Sequence, residues 1–248
     1  MPERITSHNT SGSRRSCEFQ DLGLLEYTRA LALQQEILAS KLSDRQVPDR
    51  LLFVQHPAVY TLGRRGGREN LVVSEDFLAQ KGIRIVQTDR GGNITYHGPG
   101  QAVLYPVIDL ERNRLSVPEF VEGLEEVMKH TCAEFDVPAD RDERNHGLWV
   151  GNKKIGSVGI ALKKGISIHG LALNINPDLA PFTWINPCGL ANQAMSSIAL
   201  ERTLPQQTLE AEPSRDDRAQ MEKMMDKVKT CFVKSFSAVF DCSIKPYN

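Results

Sequence analysis

The amino-acid sequence predicts an α+β fold, a mixed β-sheet with helices packed on its outside. Only three stretches of the 248-residue chain keep a helical apolar period, whereas β-rich runs are numerous. Most of those runs follow one another through glycine or proline turns. A doubly wound parallel sheet would instead need a helix between most strands. The length suits one substantial hydrophobic core, and no internal repeat is visible.

Residues 1–17 are polar and Ser/Arg-rich and read as a disordered tail, leaving 18–248 as a single domain. Leu24, Tyr27, Leu31, Leu38 and Leu42 recur at the helical period and predict a helix from Leu24 to about Leu42. "RLLFVQH" (Arg50 to His56) and "VYTLG" (Val59 to Gly63) are short apolar runs suited to buried strands. "GRRGGREN" is a loop, and "IRIVQT" (Ile83 to Thr88) alternates as a strand does. Ile94 to His97 and Ala102 to Leu110 flank the turn signal "GPGQ". Ser116 followed by Glu119 is a capping box, opening a helix with Phe120, Leu124, Val127, Met128 and Phe135 on one stripe. "GLWV", "KIGSVGIAL" and "ISIHGLALNI" are linked by tight turns into hairpins. "NPDLAPFTWINPCGL" is an irregular loop, 201–218 an exposed linker, and Arg218 to Phe240 a last amphipathic helix.

Composition narrows the class. With 40% hydrophobic and 25% charged residues the chain matches a soluble globular protein. A net charge of -1 gives no reason to expect nucleic acid or an anionic membrane as the main partner. No apolar run approaches the ~20 residues of a membrane span, and the N-terminus lacks the apolar core of a secretory signal. Five scattered cysteines, an odd number, argue against a disulfide framework and for a reducing compartment, the cytoplasm by default. Neither CxxC nor a Cys/His cluster of zinc spacing is present.

Four features carry chemistry. Cys188 lies between Pro187 and Gly189 on an irregular turn, as either a packed thiol or a reactive one. "RGGNITYHGPGQ" has more glycine than an ordinary strand tolerates, which fits a bulged hairpin or a backbone brought close to a ligand; it matches neither a Walker A loop nor a dinucleotide fingerprint. "GSVG" (Gly156 to Gly159) leaves space beside the sheet for a slender ligand, or lets backbones pack densely. His97 and His169 sit on strands beside glycines, as structural residues or, with Cys188, as half of a hydrolase pair. Lys154 starts an apolar strand with its stem toward packed residues, whereas Lys153 belongs to the preceding turn.

Beyond these readings, "RGGNITYHGPGQAVLYPVIDL", "KIGSVGIALKKGISIHGLALNIN" and "INPCGL" resemble the three signature stretches of lipoyl(octanoyl) transferases. The resemblance runs over roughly residues 20 to 200. It implies the fold of biotin and lipoate protein ligases. It also implies transfer of an octanoyl group from acyl carrier protein to a lysine of lipoyl domains, those of 2-oxoacid dehydrogenase E2 subunits and the glycine-cleavage H protein. No cofactor is implied beyond the donor's phosphopantetheine arm. The family's nucleophile falls on Cys188 and its lysine partner on Lys154. The substrate pocket falls on Arg90, Gly91, Gly92, Asn93, Ile94, Thr95, Tyr96 and His97, on Ser157, Val158 and Gly159, and on Gly170, Leu171 and Ala172. Arg64, Arg65 and Arg68, with Lys163 and Lys164, are candidates for steering an acidic carrier. Rival readings are an ATP-dependent lipoate ligase on the same fold, a non-catalytic carrier-binding protein, and a cysteine hydrolase using Cys188 with His169.

Overall fold

The computed structural model describes residues 15–186, 194–204, 208 and 214–247. The larger of two sheets has seven strands, in the order β10-β1-β2-β6-β9-β8-β7. These are β1 (Arg15–Leu24), β2 (Asp49–Gln55), β6 (Gln101–Val107), β7 (Gly147–Val150), β8 (Lys153–Lys163), β9 (Ile166–Asn174) and β10 (Cys242–Pro246). β1 runs parallel to both β2 and β10, and every other pairing is antiparallel, so the sheet is mixed. A second sheet of β3 (Val59–Leu62), β4 (Arg84–Gln87) and β5 (Ile94–His97) has β3 at its centre.

Helices cover both faces of the large sheet. α1 (Tyr27–Ser43) packs on one, with Tyr27, Ala30, Ile37 and Leu38 against Leu52, Val54, Val103 and Val107. α3 (Val117–Ala133) and α5 (Arg215–Val239) cover the other, where Phe120, Leu124, Met128, Phe232 and Phe236 meet Leu104, Leu171 and Leu173. Residues of β6 and β9 are buried on both faces, so these strands read as continuous apolar runs. Each large side chain buried this way contributes roughly 1.5–3 kcal/mol. A third cluster, Tyr60, Tyr96, Leu78, Ile83 and Phe182, fills the space between the small sheet, α2 (Glu75–Gln80) and a 3-10 turn at Ala180–Trp184.

The capping box of α3 forms as the sequence predicts, with Ser116 and Glu119 exchanging hydrogen bonds. Three boundaries differ. Residues 15–17, read as the end of a tail, belong to β1, where Cys17 is buried beside β2 and β10. α5 starts at Arg215, inside the stretch read as linker to 218, because Ser214 and Asp217 form a second capping box. The same stretch begins inside α4 (Ile198–Glu201). The apolar stripe of α1 also shifts. Leu24 lies in β1 and Leu42 faces solvent, while Gln34 and Lys41 turn inward. Tertiary partners explain that inversion: Gln34 Oε1 accepts from the His169 amide at 2.7 Å, and Lys41 Nζ pairs with Asp49 at 2.7 Å. Among the described residues no helix is long and apolar enough to cross a membrane.

Candidate active site

A cleft of about 660 Å³ lies where the loop before β5 folds over β8 and β9. Its described walls include Arg90 to Thr95 and His97, Lys154, Ser157 to Ile160, and His169 to Ala172. Three stretches distant in sequence therefore meet at one cavity. Register explains two of them: Ser157, Val158 and Gly159 pair with Ala172, Leu171 and Gly170. The third is tied down by the Gly91 amide, which donates to the Ile160 carbonyl at 2.8 Å. Tyr96 does not line the cavity. Strand alternation turns it the other way, where it packs against Tyr60 and Phe182.

Arg90 braces the loop. Its Nε and Nη2 donate to Thr61 Oγ1 at 3.1 and 2.9 Å, Nη2 also to the Thr61 carbonyl at 2.5 Å, and Nη1 to the Gly91 carbonyl at 2.9 Å. Gly92 has φ +84°, a conformation L side chains rarely adopt. Gly159 lets the loop lie close: a Cβ there would stand 3.1 Å from the Gly91 carbonyl oxygen, tighter than an ordinary contact. Gly170 has a different reason. Its missing Cβ would run into the Leu104 carbonyl, so it serves close packing of β9 on β6.

One end of the cleft is backed by a hydrogen-bonded cluster of histidines and tyrosines. His56 is held between the Leu25 carbonyl at 2.6 Å and the Tyr105 hydroxyl at 2.8 Å; burial lowers its pKa to about 4. His97 lies between Gln101 Oε1 at 2.6 Å and Thr61 Oγ1 at 3.3 Å, and stacks on Tyr27. Burial, with His56 adding to it, lowers the His97 pKa to about 3. A neutral His97 protonated at Nδ1 satisfies both contacts, since the threonine has one proton to give and two lone pairs for Arg90. His169 has φ +61° within β9, held by Gln34 at its amide, Tyr27 at Nδ1 (3.3 Å) and Asp89 at Nε2 (2.8 Å). Burial lowers its pKa. Asp89 is pushed up by burial but held below the usual range by hydrogen bonds from His169 and Lys163.

Lys154 stands at the opposite end and is 8% exposed. Its Nζ donates to Asn145 Oδ1 and to the His146 carbonyl, the latter at 2.8 Å, and lies 5.2 Å from the Trp149 ring centre. Its own backbone holds described residues that follow Cys188 in sequence: the Lys154 amide donates to the Ala194 carbonyl at 2.9 Å, and the Ser196 amide donates to the Lys154 carbonyl at 2.8 Å. On the other side of Cys188 in sequence, the Asn186 amide donates to the Asn70 carbonyl at 2.8 Å. Cys188 itself, with 187–193, lies outside the described residues. Of the basic clusters, Arg65 lines the cavity, while Arg68 pairs with Glu75 and Lys163 with Asp89. Sequence reasoning did not single out Tyr27, Tyr105, Asn145 or His146, all of which line the cleft. A tyrosine in an apolar run and a polar stretch before a strand carry no local signal of a site.

The model of the lipoyl protein ligase A/B catalytic domain matches residues 26–232. The chain belongs to this family. Within it, the octanoyltransferase of Desulfotalea psychrophila is 49% identical over 183 residues, covering 73% of this chain and 82% of that protein. That of Caldicellulosiruptor bescii is 41% identical over 217 residues, 87% of this chain and 89% of the relative. This member of the lipoyl ligase A/B family is therefore a transferase enzyme. Solved structures share its fold: lipoate-protein ligase A bound with ATP superposes with TM-score 0.66 at 15% identity, covering 95% of this chain and 90% of the other. A bipartite lipoate protein ligase from Thermoplasma acidophilum, described with its E2 lipoyl domain, gives 0.67 at 15% identity, covering 95% and 88%.

Proposed function

We propose that this chain catalyses octanoyl transfer through a thioester on Cys188, with octanoyl-acyl carrier protein as donor and a lysine of a lipoyl domain as acceptor. The observation that supports it best is Lys154: a nearly buried amine at one end of a mostly apolar-walled cleft, donating to the Asn145 side chain and the His146 carbonyl. In the first half-reaction the Cys188 thiolate attacks the donor thioester. The new C–S bond replaces the donor's, and the departing thiolate takes a proton from the Lys154 ammonium. In the second, the acceptor amine attacks the Cys188 thioester. The C–N bond forms, Sγ leaves as thiolate, and the amine's proton returns to neutral Lys154. The cycle ends as it began, with ammonium beside thiolate, the arrangement that favours a reactive thiol.

Acceptors in this reading are lipoyl domains of 2-oxoacid dehydrogenase E2 subunits and the glycine-cleavage H protein, the compartment is the cytoplasm, and no cofactor is used beyond the donor's phosphopantetheine arm. A hydrolase using His169 as base is disfavoured, because both ring nitrogens are engaged by Tyr27 and Asp89. The test is mass spectrometry after brief incubation with octanoyl-acyl carrier protein without ATP. A hydroxylamine-sensitive adduct on Cys188, discharged by apo-lipoyl domain, is expected. Modification that requires ATP and free acid would overturn the reading in favour of a ligase. An adduct lost equally fast without acceptor would overturn it in favour of a hydrolase.

A further inference from the structure

We infer that Arg65 forms a phosphate subsite where the cleft meets solvent, taking the phosphodiester of the donor's phosphopantetheine arm. The inference rests on the donor named in the proposed function. Arg65 lines the cavity and is exposed, so its guanidinium stands at the rim that a substrate chain leaving the cleft crosses. Among the described residues no hydrogen bond or ion pair engages its side chain. Other arginines of the cavity wall or of the same loop are engaged: Arg90 on Thr61 and Gly91, Arg68 on Glu75, and Arg144 on Asp142 at 2.7 and 2.9 Å.

The turn that carries Arg65 is fixed to the cleft wall. The Gly63 amide donates to the Asn93 carbonyl at 3.0 Å, the Arg64 amide to the Arg90 carbonyl at 2.9 Å, and the Arg65 amide to the Gly92 carbonyl at 3.1 Å. The Gly66 amide closes the turn on the Gly63 carbonyl at 2.9 Å. Glycine at both ends permits this approach. A Cβ at Gly63 would stand 2.5 Å from the Gly92 carbonyl oxygen, and one at Gly66 2.8 Å from the Asn93 carbonyl carbon. The loop that walls the cleft therefore holds the arginine too, and binding has only a side chain left to order.

Charge decides what such a group takes. The acyl chain, the thioester and the amides of the arm are neutral, and its phosphate is the anion. A planar guanidinium matches two phosphate oxygens with parallel N–H groups. The carboxylates that reach the cavity, Asp142 and Glu143, come from the loop before β7 rather than from this turn, and Asp142 is held by Arg144. A phosphate held at Arg65 leaves the thioester end of the arm to enter the cavity that Lys154 also lines.

The test compares rates of Cys188 adduct formation from octanoyl-pantetheine, octanoyl-phosphopantetheine and octanoyl-acyl carrier protein. The wild-type chain is expected to load faster from the two phosphorylated donors. In Arg65→Gln the ratio of the octanoyl-phosphopantetheine rate to the octanoyl-pantetheine rate should fall about tenfold or more, the scale of one charge-assisted hydrogen bond. Arg64→Gln removes the same charge from the neighbouring exposed residue and should leave that ratio near its wild-type value. An unchanged ratio in Arg65→Gln, or an equal fall in Arg64→Gln, would overturn the subsite. A loss confined to ATP-dependent modification from free octanoate would assign the anion to a nucleotide and overturn it likewise. No adduct from any donor in the wild-type chain means that the proposed function itself fails; adducts from all three donors at rates that Arg65→Gln does not separate remove the subsite alone.

Discussion

The guanidinium of Arg90 ends on Thr61, taking both the hydroxyl and the carbonyl of that residue as acceptors. The hydroxyl proton is left for His97 Nε2, 3.3 Å away, so one threonine joins the glycine loop to the imidazole cluster. Thr61→Val keeps the shape and removes the link. It leaves a buried cation short of acceptors and an imidazole without its donor, a loss of about 2–3 kcal/mol. Urea unfolding should show that loss together with reduced transfer. Thr61→Ser should restore most of both.

The same cluster predicts how stability depends on pH. His56 and His97, with pKa values lowered to about 4 and about 3, stay neutral in the folded chain, whereas unfolded histidine takes a proton near pH 6.5. Below pH 6.5 the unfolded state therefore binds more protons. Stability is full above that value and falls as pH drops toward 4, by about 1.4 kcal/mol per pH unit for each histidine. His169, lowered by burial, acts in the same direction. Urea titrations at pH 7, 6 and 5 should show this loss, and His97→Gln should reduce its slope by about one proton. An unchanged slope would count against a neutral His97.

How far the sequence discloses this molecule depends on whether a residue's partner is near in the chain. The β7–β8–β9 meander is legible because turns and apolar runs are contiguous. β1 is not: its residues are largely polar, and its partners lie in β2 and at the far C-terminus, where Arg15 pairs with Cys242. The inward face of α1 is misread for a related reason, since Gln34 and Lys41 find acceptors and donors on distant strands. Within the cleft, glycine density marks the loop, yet a contiguous motif cannot reveal that alternation sends Tyr96 into the core beside His97 in the cavity. Glu125 leaves no trace because its hydrogen bonds form only where α3 meets the loop before β7.

Lys41 and Asp49 form an ion pair whose lysine is wholly buried, and the same carboxylate accepts from the Asp109 amide at 3.1 Å and Asn113 Nδ2 at 2.7 Å. Lys41→Met preserves the stem but strips the carboxylate of its cation, at about 3–5 kcal/mol. Adding Asp49→Asn should recover part of that loss, so the double variant is expected to be more stable than the sum of the two single changes. Neither residue lines the cleft. Transfer per folded molecule should therefore stay at the wild-type rate, checked by activity normalised to active sites.

Gly159 and Gly170 face each other across β8 and β9, yet substitution should separate them by kind of effect. A side chain at 159 meets the Gly91 carbonyl and the Arg90 stem, where the loop lies against the strand over the cleft. Gly159→Leu should then occupy space an acyl chain needs. Octanoyl transfer is expected to fall by tenfold or more, since about 10–200-fold follows from one misplaced methylene, with a smaller loss for an acetyl donor. Gly170→Ala instead drives a Cβ into the Leu104 carbonyl between two buried strands. It should lower Tm while leaving the octanoyl-to-acetyl ratio of kcat/KM where it was. Equal losses on both donors in Gly159→Leu would remove that residue from chain accommodation, and a shifted ratio in Gly170→Ala would bring the β9 position into it.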